Sequence, residues 1–159
     1  MQESALSWSP EHESKRVGRV IRILIADDST AVQDGVAALL RGVEDFDVVG
    51  TAKDGVEALR QASVLRPDVV IMDSQMPRMN GVDCTRRIKQ TLSNVGVLFF
   101  TVYTDCIEAG RDAGADGYLL KDCEPEELIS MSRKIAENMR TSRELHIPPL
   151  DATPLDEIW

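Results

Sequence analysis

Five short apolar runs, four of them ending on a polar residue and most followed by a segment with helical spacing, restrict this chain more than any other feature of its sequence. The first opens near Val20 in RVIRILIADD; the others are DVVGTA (47–52), PDVVIMD (67–73), VGVLFFT (95–101) and GYLLK (117–121). Several are apolar without alternation, as strands of a parallel sheet are when both of its faces are covered. Val32, Val36, Leu39 and Leu40 recur at helical spacing after Ser29, and Asp54 with Glu57 forms a capping-box pattern ahead of Leu59. Gly81 to Leu92 continues the alternation. The last helix opens at Pro125 with Glu126 and Glu127 in its first turn, and Leu128, Met131, Ile135 and Met139 share one face. Its basic residues Arg133, Lys134 and Arg140 lie toward its end.

Strands that alternate with helices in this way imply right-handed crossovers and a parallel sheet sandwiched between helices. The expected fold is α/β: a five-stranded parallel sheet in the order 2-1-3-4-5, doubly wound with five helices, the flavodoxin-like arrangement. Its switch point lies between strands one and three, where open sheets of this kind bind ligands beyond the carboxyl ends of the strands. At 159 residues the chain fits one ordinary domain with tails. Residues 1–19 mix Ser, Pro and charge without a period and are expected to form a flexible arm, residues 20–140 the domain, and residues 141–159 a C-terminal tail.

Hydrophobic residues make up 43% and charged residues 28%, a balance that excludes the low hydrophobicity of disordered chains. The first residues, MQESALSWSPEHES, lack a basic start and a continuous apolar stretch, and no run is long enough to cross a bilayer, so a cytoplasmic protein without membrane contact is expected. Cys84, Cys106 and Cys123 are odd in number and widely spaced, which suits reduced thiols. The net charge of -9 disfavours unspecific binding to a nucleic-acid backbone.

The polar ends of the strands are Asp27 and Asp28 (strand one), Asp73 (three), Thr101 (four) and Lys121 (five). A parallel sheet brings these ends to one edge although dozens of residues separate them. Each alone is equally readable as a turn former or helix cap. As a set they are complementary. Three carboxylates in one crevice repel unless a cation holds them, and oxygen-only ligands favour magnesium, which leaves room for a phosphate oxygen. Asp73 is then placed to attack phosphorus, with magnesium and the Lys121 ammonium stabilising the equatorial oxygens and the Thr101 hydroxyl bonding a third.

With those residues and the GADGYLLKD segment (114–122), the chain resembles the receiver domains of two-component response regulators over about residues 20 to 140, most closely those that precede a helix-turn-helix output domain. The resemblance implies that Asp73 is the phosphoacceptor. It makes Asp27 and Asp28 the magnesium-binding pair, the backbone carbonyl of Gln75 a further metal ligand, Thr101 the switch hydroxyl, Lys121 the phosphate-contacting lysine and Tyr118 the aromatic switch. Pro77 and Gly81 sit where the family's loop has proline and glycine. The implied phosphodonor is a histidine kinase or histidine phosphotransfer protein, the cofactor Mg2+, and the readout a protein-binding surface on helix four, strand five and helix five, in a phosphoprotein that catalyses only its own phosphorylation and dephosphorylation and could serve a phosphorelay. A homodimer is compatible with this.

Three departures from the family pattern are visible. The segment between Thr101 and Lys121 is a couple of residues short, so helix four, around Ile107 to Asp112, is expected to be stunted. Asp122 follows Lys121 in place of the frequent proline. Gln75, Val102 and Tyr103 flank the expected path of an attacking water, which predicts a long-lived phosphoryl group.

After the last helix, TSRELHIPPLDATPLDEIW is too short for a three-helix DNA-reading unit and carries an acidic balance, so no direct DNA binding is expected and the chain reads as a stand-alone receiver with an unidentified output protein. A disordered or weakly self-docking tail is expected, and His12 and His146 lie outside the domain. A truncated or partner-dependent transcriptional regulator is the alternative. A haloacid-dehalogenase-type phosphatase wants Asp-x-Asp after strand one, where DDST has adjacent acids, and a flavin protein of similar topology wants a Ser/Thr-rich phosphate loop there.

Overall fold

A computed structural model describes residues 20–145 of the chain, so the N-terminal arm and the segment from His146 onward, including the expected tail behaviour, lie outside the described residues. The elements alternate as β1 Ile21–Ala26, α1 Thr30–Arg41, β2 Phe46–Ala52, α2 Gly55–Leu65, β3 Val69–Met72, α3 Gly81–Thr91, β4 Gly96–Thr101, α4 Ile107–Ala113, β5 Gly117–Leu120 and α5 Pro125–Leu145. The five strands form one sheet in the order β2-β1-β3-β4-β5, with all pairings parallel. This is the expected doubly wound, flavodoxin-like topology.

The two-residue strand period divides the core. Ile21, Ile23, Ile25, Val69, Ile71, Leu98 and Phe100 face α1 and α5, where they meet Val36, Leu40, Leu128, Ile135 and Ala136. Leu24, Ala26, Val70, Met72, Val97 and Phe99 face the other way, toward Ala58 and Ala62 of α2 and Cys84 and Ile88 of α3. The continuous apolar runs β1, β3 and β4 are therefore the central strands, buried from both sides, whereas β2 and β5 are edges with partly exposed residues. Fully burying a Leu or Ile side chain stabilises by roughly 1.5–3 kcal/mol, so these three strands dominate the stability of the domain.

Local signals account for the helix starts. Ser29 Oγ accepts from Val32 N at 3.2 Å and Asp54 Oδ1 from Glu57 N at 2.8 Å, while Glu57 Oε1 reaches back to Lys53 N at 2.9 Å. The reciprocal bond thus falls one residue earlier than the ideal capping box. Asn80 caps α3 through Asp83 N at 2.8 Å. Helix α4 has seven residues and no side-chain cap, as its short segment foreshadowed. The Lys121–Asp122 bond is trans.

One boundary needs correction. The helix expected to end at residue 140 continues to Leu145, because residues 141–145 contain neither Gly nor Pro. Thr141 Oγ1 returns to Glu137 O at 3.1 Å within this last stretch. The helix is held to the start of β2 by Arg133, whose guanidinium donates to both oxygens of Asp45 and lies 5.2 Å from the centre of the Phe46 ring.

Two glycines fix the loops that frame the carboxyl edge of the sheet. A Cβ on Gly81 would overlap the carbonyl of Asp73, and one on Gly55 the carbonyl of Met79. Here glycine is required by close backbone approach, since neither has a positive φ. Gly81→Ala is expected to destabilise the domain by about 1–3 kcal/mol, read as a lowered urea midpoint at unchanged m-value, against a gain of about 0.5–1 kcal/mol for Gly35→Ala inside α1, where a Cβ meets nothing within 4 Å.

Candidate functional site

The strand ends meet where the topology requires. Asp27 follows β1 and is 2% exposed, Asp73 follows β3 and is 6% exposed, and Lys121 follows β5. The sheet ladder extends to each of them: Asp27 N donates to Ala52 O at 2.9 Å, Asp73 N to Ala26 O at 2.9 Å, and Lys121 N to Thr101 O at 2.9 Å. Backbone pairing, and not a mobile loop, therefore fixes where each side chain starts.

Lys121 Nζ lies 2.7 Å from Asp27 Oδ2 and 3.4 Å from Asp73 Oδ2, bridging the two buried carboxylates. Asp27 Oδ1 accepts from Ser29 N at 2.8 Å, which ties it to the start of α1. Asp28, exposed beside them, completes a group of three carboxylates whose nearest oxygens all lie within 4.8 Å of one another. Asp73 Oδ1 is buried without a hydrogen-bond partner among the described residues. One ammonium contacts two of the three acids, and one acceptor atom is left over.

The titration behaviour follows from this imbalance. Burial raises the Asp73 carboxyl above its ordinary value, the neighbouring Asp27 raises it further, and Lys121 together with the backbone amide of Gln75 opposes both. Burial would lower the Lys121 ammonium, but its bond to Asp27 and the charges of Asp73 and Asp27 outweigh this and hold it above its ordinary value. A hard divalent cation fits the set: the donors are all oxygen, their spacing is short enough to share one ion, and Asp73 Oδ1 has an open lone pair.

The remaining expected residues are near but differently engaged. Thr101, at the end of β4 and fully buried, bonds Ser74 Oγ at 2.7 Å and accepts from Tyr103 N at 3.1 Å, so its hydroxyl is not directed to Asp73. Gln75 is exposed at the start of the loop after β3. Tyr118 stands on β5 with 45% of its surface exposed, turned outward. Val102 and Tyr103 are exposed just past β4.

Sequence reasoning missed two positions. Gln33 on α1 donates through Nε2 to Asp27 O at 2.6 Å and Ala52 O at 3.1 Å, stitching the ends of β1 and β2 together beneath the acids. Its signal was a lone amide next to an otherwise apolar helix face. Ser74, directly after Asp73, is 3% exposed and holds Thr101. A hydroxyl closing a buried apolar run was the available clue. Farther out, Arg78, at a positive φ of 69°, pairs with Asp54 at 3.3 Å and links the loop after β3 to the start of α2.

A family model described as the response regulator receiver domain matches residues 23–133. The chain belongs to this family. Among similar proteins, the transcriptional regulatory protein LnrK of Bacillus subtilis (strain 168) is 42% identical over 112 residues, covering 69% of this chain and 51% of LnrK. The response regulator protein VraR of Staphylococcus saprophyticus is 36% identical over 120 residues, covering 74% of this chain and 57% of VraR. The receiver thus spans about half the length of the curated relatives it matches. The signal receiver domain of the putative response regulator NarL from Mycobacterium tuberculosis superposes with a TM-score of 0.72 at 27% identity, covering 75% of this chain and 98% of that one.

The electrostatic imbalance makes a stability prediction. Replacing Asp73 by Asn removes one buried charge from the group and is expected to stabilise the metal-free receiver by on the order of 1 kcal/mol. Magnesium should narrow the gap by raising the wild-type melting temperature more than that of Asp73→Asn. A variant that melts lower than wild type without metal, or an equal magnesium effect on both, contradicts this charge arrangement.

Proposed function

We propose that this receiver accepts a phosphoryl group on Asp73 and uses the resulting aspartyl phosphate to switch a protein-binding surface. The observation that carries the reading is the Lys121 ammonium bridging Asp27 and Asp73 while Asp73 Oδ1 keeps an unshared lone pair at the same edge. In the proposed reaction an Asp73 carboxylate oxygen attacks phosphorus, the bond from phosphorus to the donor's leaving atom breaks, and the leaving group departs with that electron pair. Lys121 offers N–H donors to an equatorial oxygen as charge builds there. Asp27, Asp28, Asp73 and the Gln75 carbonyl are the candidate ligands of Mg2+, which supplies charge neutralisation on the phosphoryl oxygens. The donor class is a histidine kinase or histidine phosphotransfer protein, with small acyl phosphates as substitutes, and such donors place the reaction in the cytoplasm.

The product adds charge and acceptor oxygens beside Thr101 and Lys121. Thr101 and Tyr118 are the proposed switch pair, because one closes β4 at the site and the other stands exposed on the neighbouring β5, where Phe99 pairs with Tyr118. The only chemistry proposed is the receiver's own phosphorylation and dephosphorylation. The nucleophile's place on the third strand and the adjacent acids on the first argue against the haloacid-dehalogenase arrangement. A second reading, control of transcription, draws on the relatives named as transcriptional regulators, and specific duplex binding by this polypeptide would favour it.

Incubation with Mg2+ and acetyl phosphate should add one phosphoryl group to the intact mass, and Asp73→Ala should add none. Lys121→Ala should slow the gain on the order of 100-fold, the scale for removing one donor from a developing oxyanion. Equal gain in Asp73→Ala would refute the assignment. The exposed Gln75, Val102 and Tyr103 at the mouth of the site make a second expectation: shortening Val102 and Tyr103 to Ala should speed loss of the phosphoryl group once the donor is removed, followed by the same mass measurement over time.

A further inference from the structure

We propose that Ser74 is a latch on the switch, holding the Thr101 hydroxyl until an aspartyl phosphate competes for it. The proposal rests on the reading of Asp73 as phosphoacceptor and Thr101 as its switch hydroxyl. Ser74 and Thr101 lie 27 positions apart, yet their hydroxyls meet at 2.7 Å in a buried setting, with the two residues 3% and 0% exposed. At that distance between neutral hydroxyls the bond is a well-formed one. A second bond, from Tyr103 N at 3.1 Å, fills part of the acceptor capacity of Thr101 Oγ1, and the Cys106 thiol lies 4.0 Å from the same atom. Meanwhile Asp73 Oδ1, on the residue next to Ser74, has no partner. A hydroxyl and an orphan acceptor therefore sit in one buried site, and the hydroxyl is engaged elsewhere.

The energetic consequence is a toll on switching. For Thr101 to bond a phosphoryl oxygen, its contact with Ser74 must be broken or shared, and a buried Ser74 hydroxyl left without its partner costs free energy. The bond to Ser74 thus stabilises the resting arrangement relative to the phosphorylated one. Replacing Ser74 by Ala deletes the competing partner with little change of volume. It also leaves the Thr101 hydroxyl one hydrogen bond short in the resting state, which favours the phosphorylated state again. Both effects have the same sign.

The test measures binding of beryllofluoride, a stable phosphoryl mimic, in the presence of Mg2+ by calorimetry, with no turnover involved. Ser74→Ala should bind about 5-fold tighter than wild type, the scale of one neutral hydrogen bond. Ser74→Cys, close in size but a weak hydrogen-bonder, should fall between the two and guards against a folding defect in the first variant. On a Thr101→Val background, which lacks the hydroxyl, Ser74→Ala should change affinity by less than about 2-fold, because the latch has nothing to hold. Unchanged or weaker binding by Ser74→Ala, or the same gain with and without the Thr101 hydroxyl, overturns the latch while leaving the receiver reading intact. Failure of the wild type to bind beryllofluoride at all overturns the receiver reading, and the latch with it.

Discussion

The ammonium of Lys121 between Asp27 and Asp73 is the contact on which the organisation of this molecule turns. Two buried carboxylates a few ångströms apart repel, and without a positive charge between them the carboxyl edge of the sheet would be a costly place to bury either. The three partners come from β1, β3 and β5, so the contact requires all of these strands to run in the same direction and end on the same side. It also draws the edge strand inward. β5 is short and half-exposed, held laterally by pairing with β4 and at its end by Lys121, whose amide bonds Thr101 while its side chain crosses to the acids. Packing of the central strands builds the platform, and electrostatics decides how its rim closes.

Compensation at that rim is incomplete by construction. Lys121 satisfies one oxygen on each of Asp27 and Asp73, Ser29 N satisfies the second oxygen of Asp27, the Gln75 amide lends the Asp73 carboxyl some support, and Asp73 Oδ1 has no well-formed partner among the described residues. Natural cores leave few such atoms, and each calls for a physical account. An orphan acceptor surrounded by excess negative charge has two chemical remedies, a cation or a covalent change of the oxygen itself. The proposed receiver chemistry would use both, so that the feature that makes the resting fold less stable than its packing allows would also make it responsive.

Much of this was legible in the sequence because the signals were redundant. The uninterrupted apolar runs Val69–Met72 and Val97–Phe100 marked buried parallel strands, and their polar ends marked the edge where chemistry collects. Strand limits were less legible: Asp73 and Lys121 lie one residue past their strands, since ladder bonding continues through their amides after regular pairing has stopped. The reach of α5 beyond residue 140 was hidden for a similar reason, as Thr141 and Ser142 are weak helix formers singly but are carried by the preceding turns. Ser74 and Gln33 were invisible because their roles are relational. Nothing in SQMP announces a bond to a threonine on another strand, and only the pairing of β3 with β4 brings the two hydroxyls together.

The same pairing dictates how far a change at Asp73 can spread. β1, β3 and β4 are packed on both faces with almost no exposed surface, and close-packed interiors transmit displacement without absorbing it. Thr101 and Phe99 lie two residues apart on β4 and so share a face, and the Phe99 ring abuts Gly110 of α4 so closely that even a Cβ there would collide with it. The helix it touches is the shortest in the domain and has no side-chain cap at its N-terminus, although Gly114 caps its C-terminus. In the proposed switch, a threonine moving toward the site would pull on a strand packed on both faces, next to the shortest helix of the domain. Val102, Tyr103 and Tyr118, exposed around that helix, are where the displacement meets solvent. Rigidity in the middle of the sheet and the shortness of α4 would then be complementary: the first would confine the proposed response to one side of the molecule, and the second would let a change at one carboxylate become a change of surface.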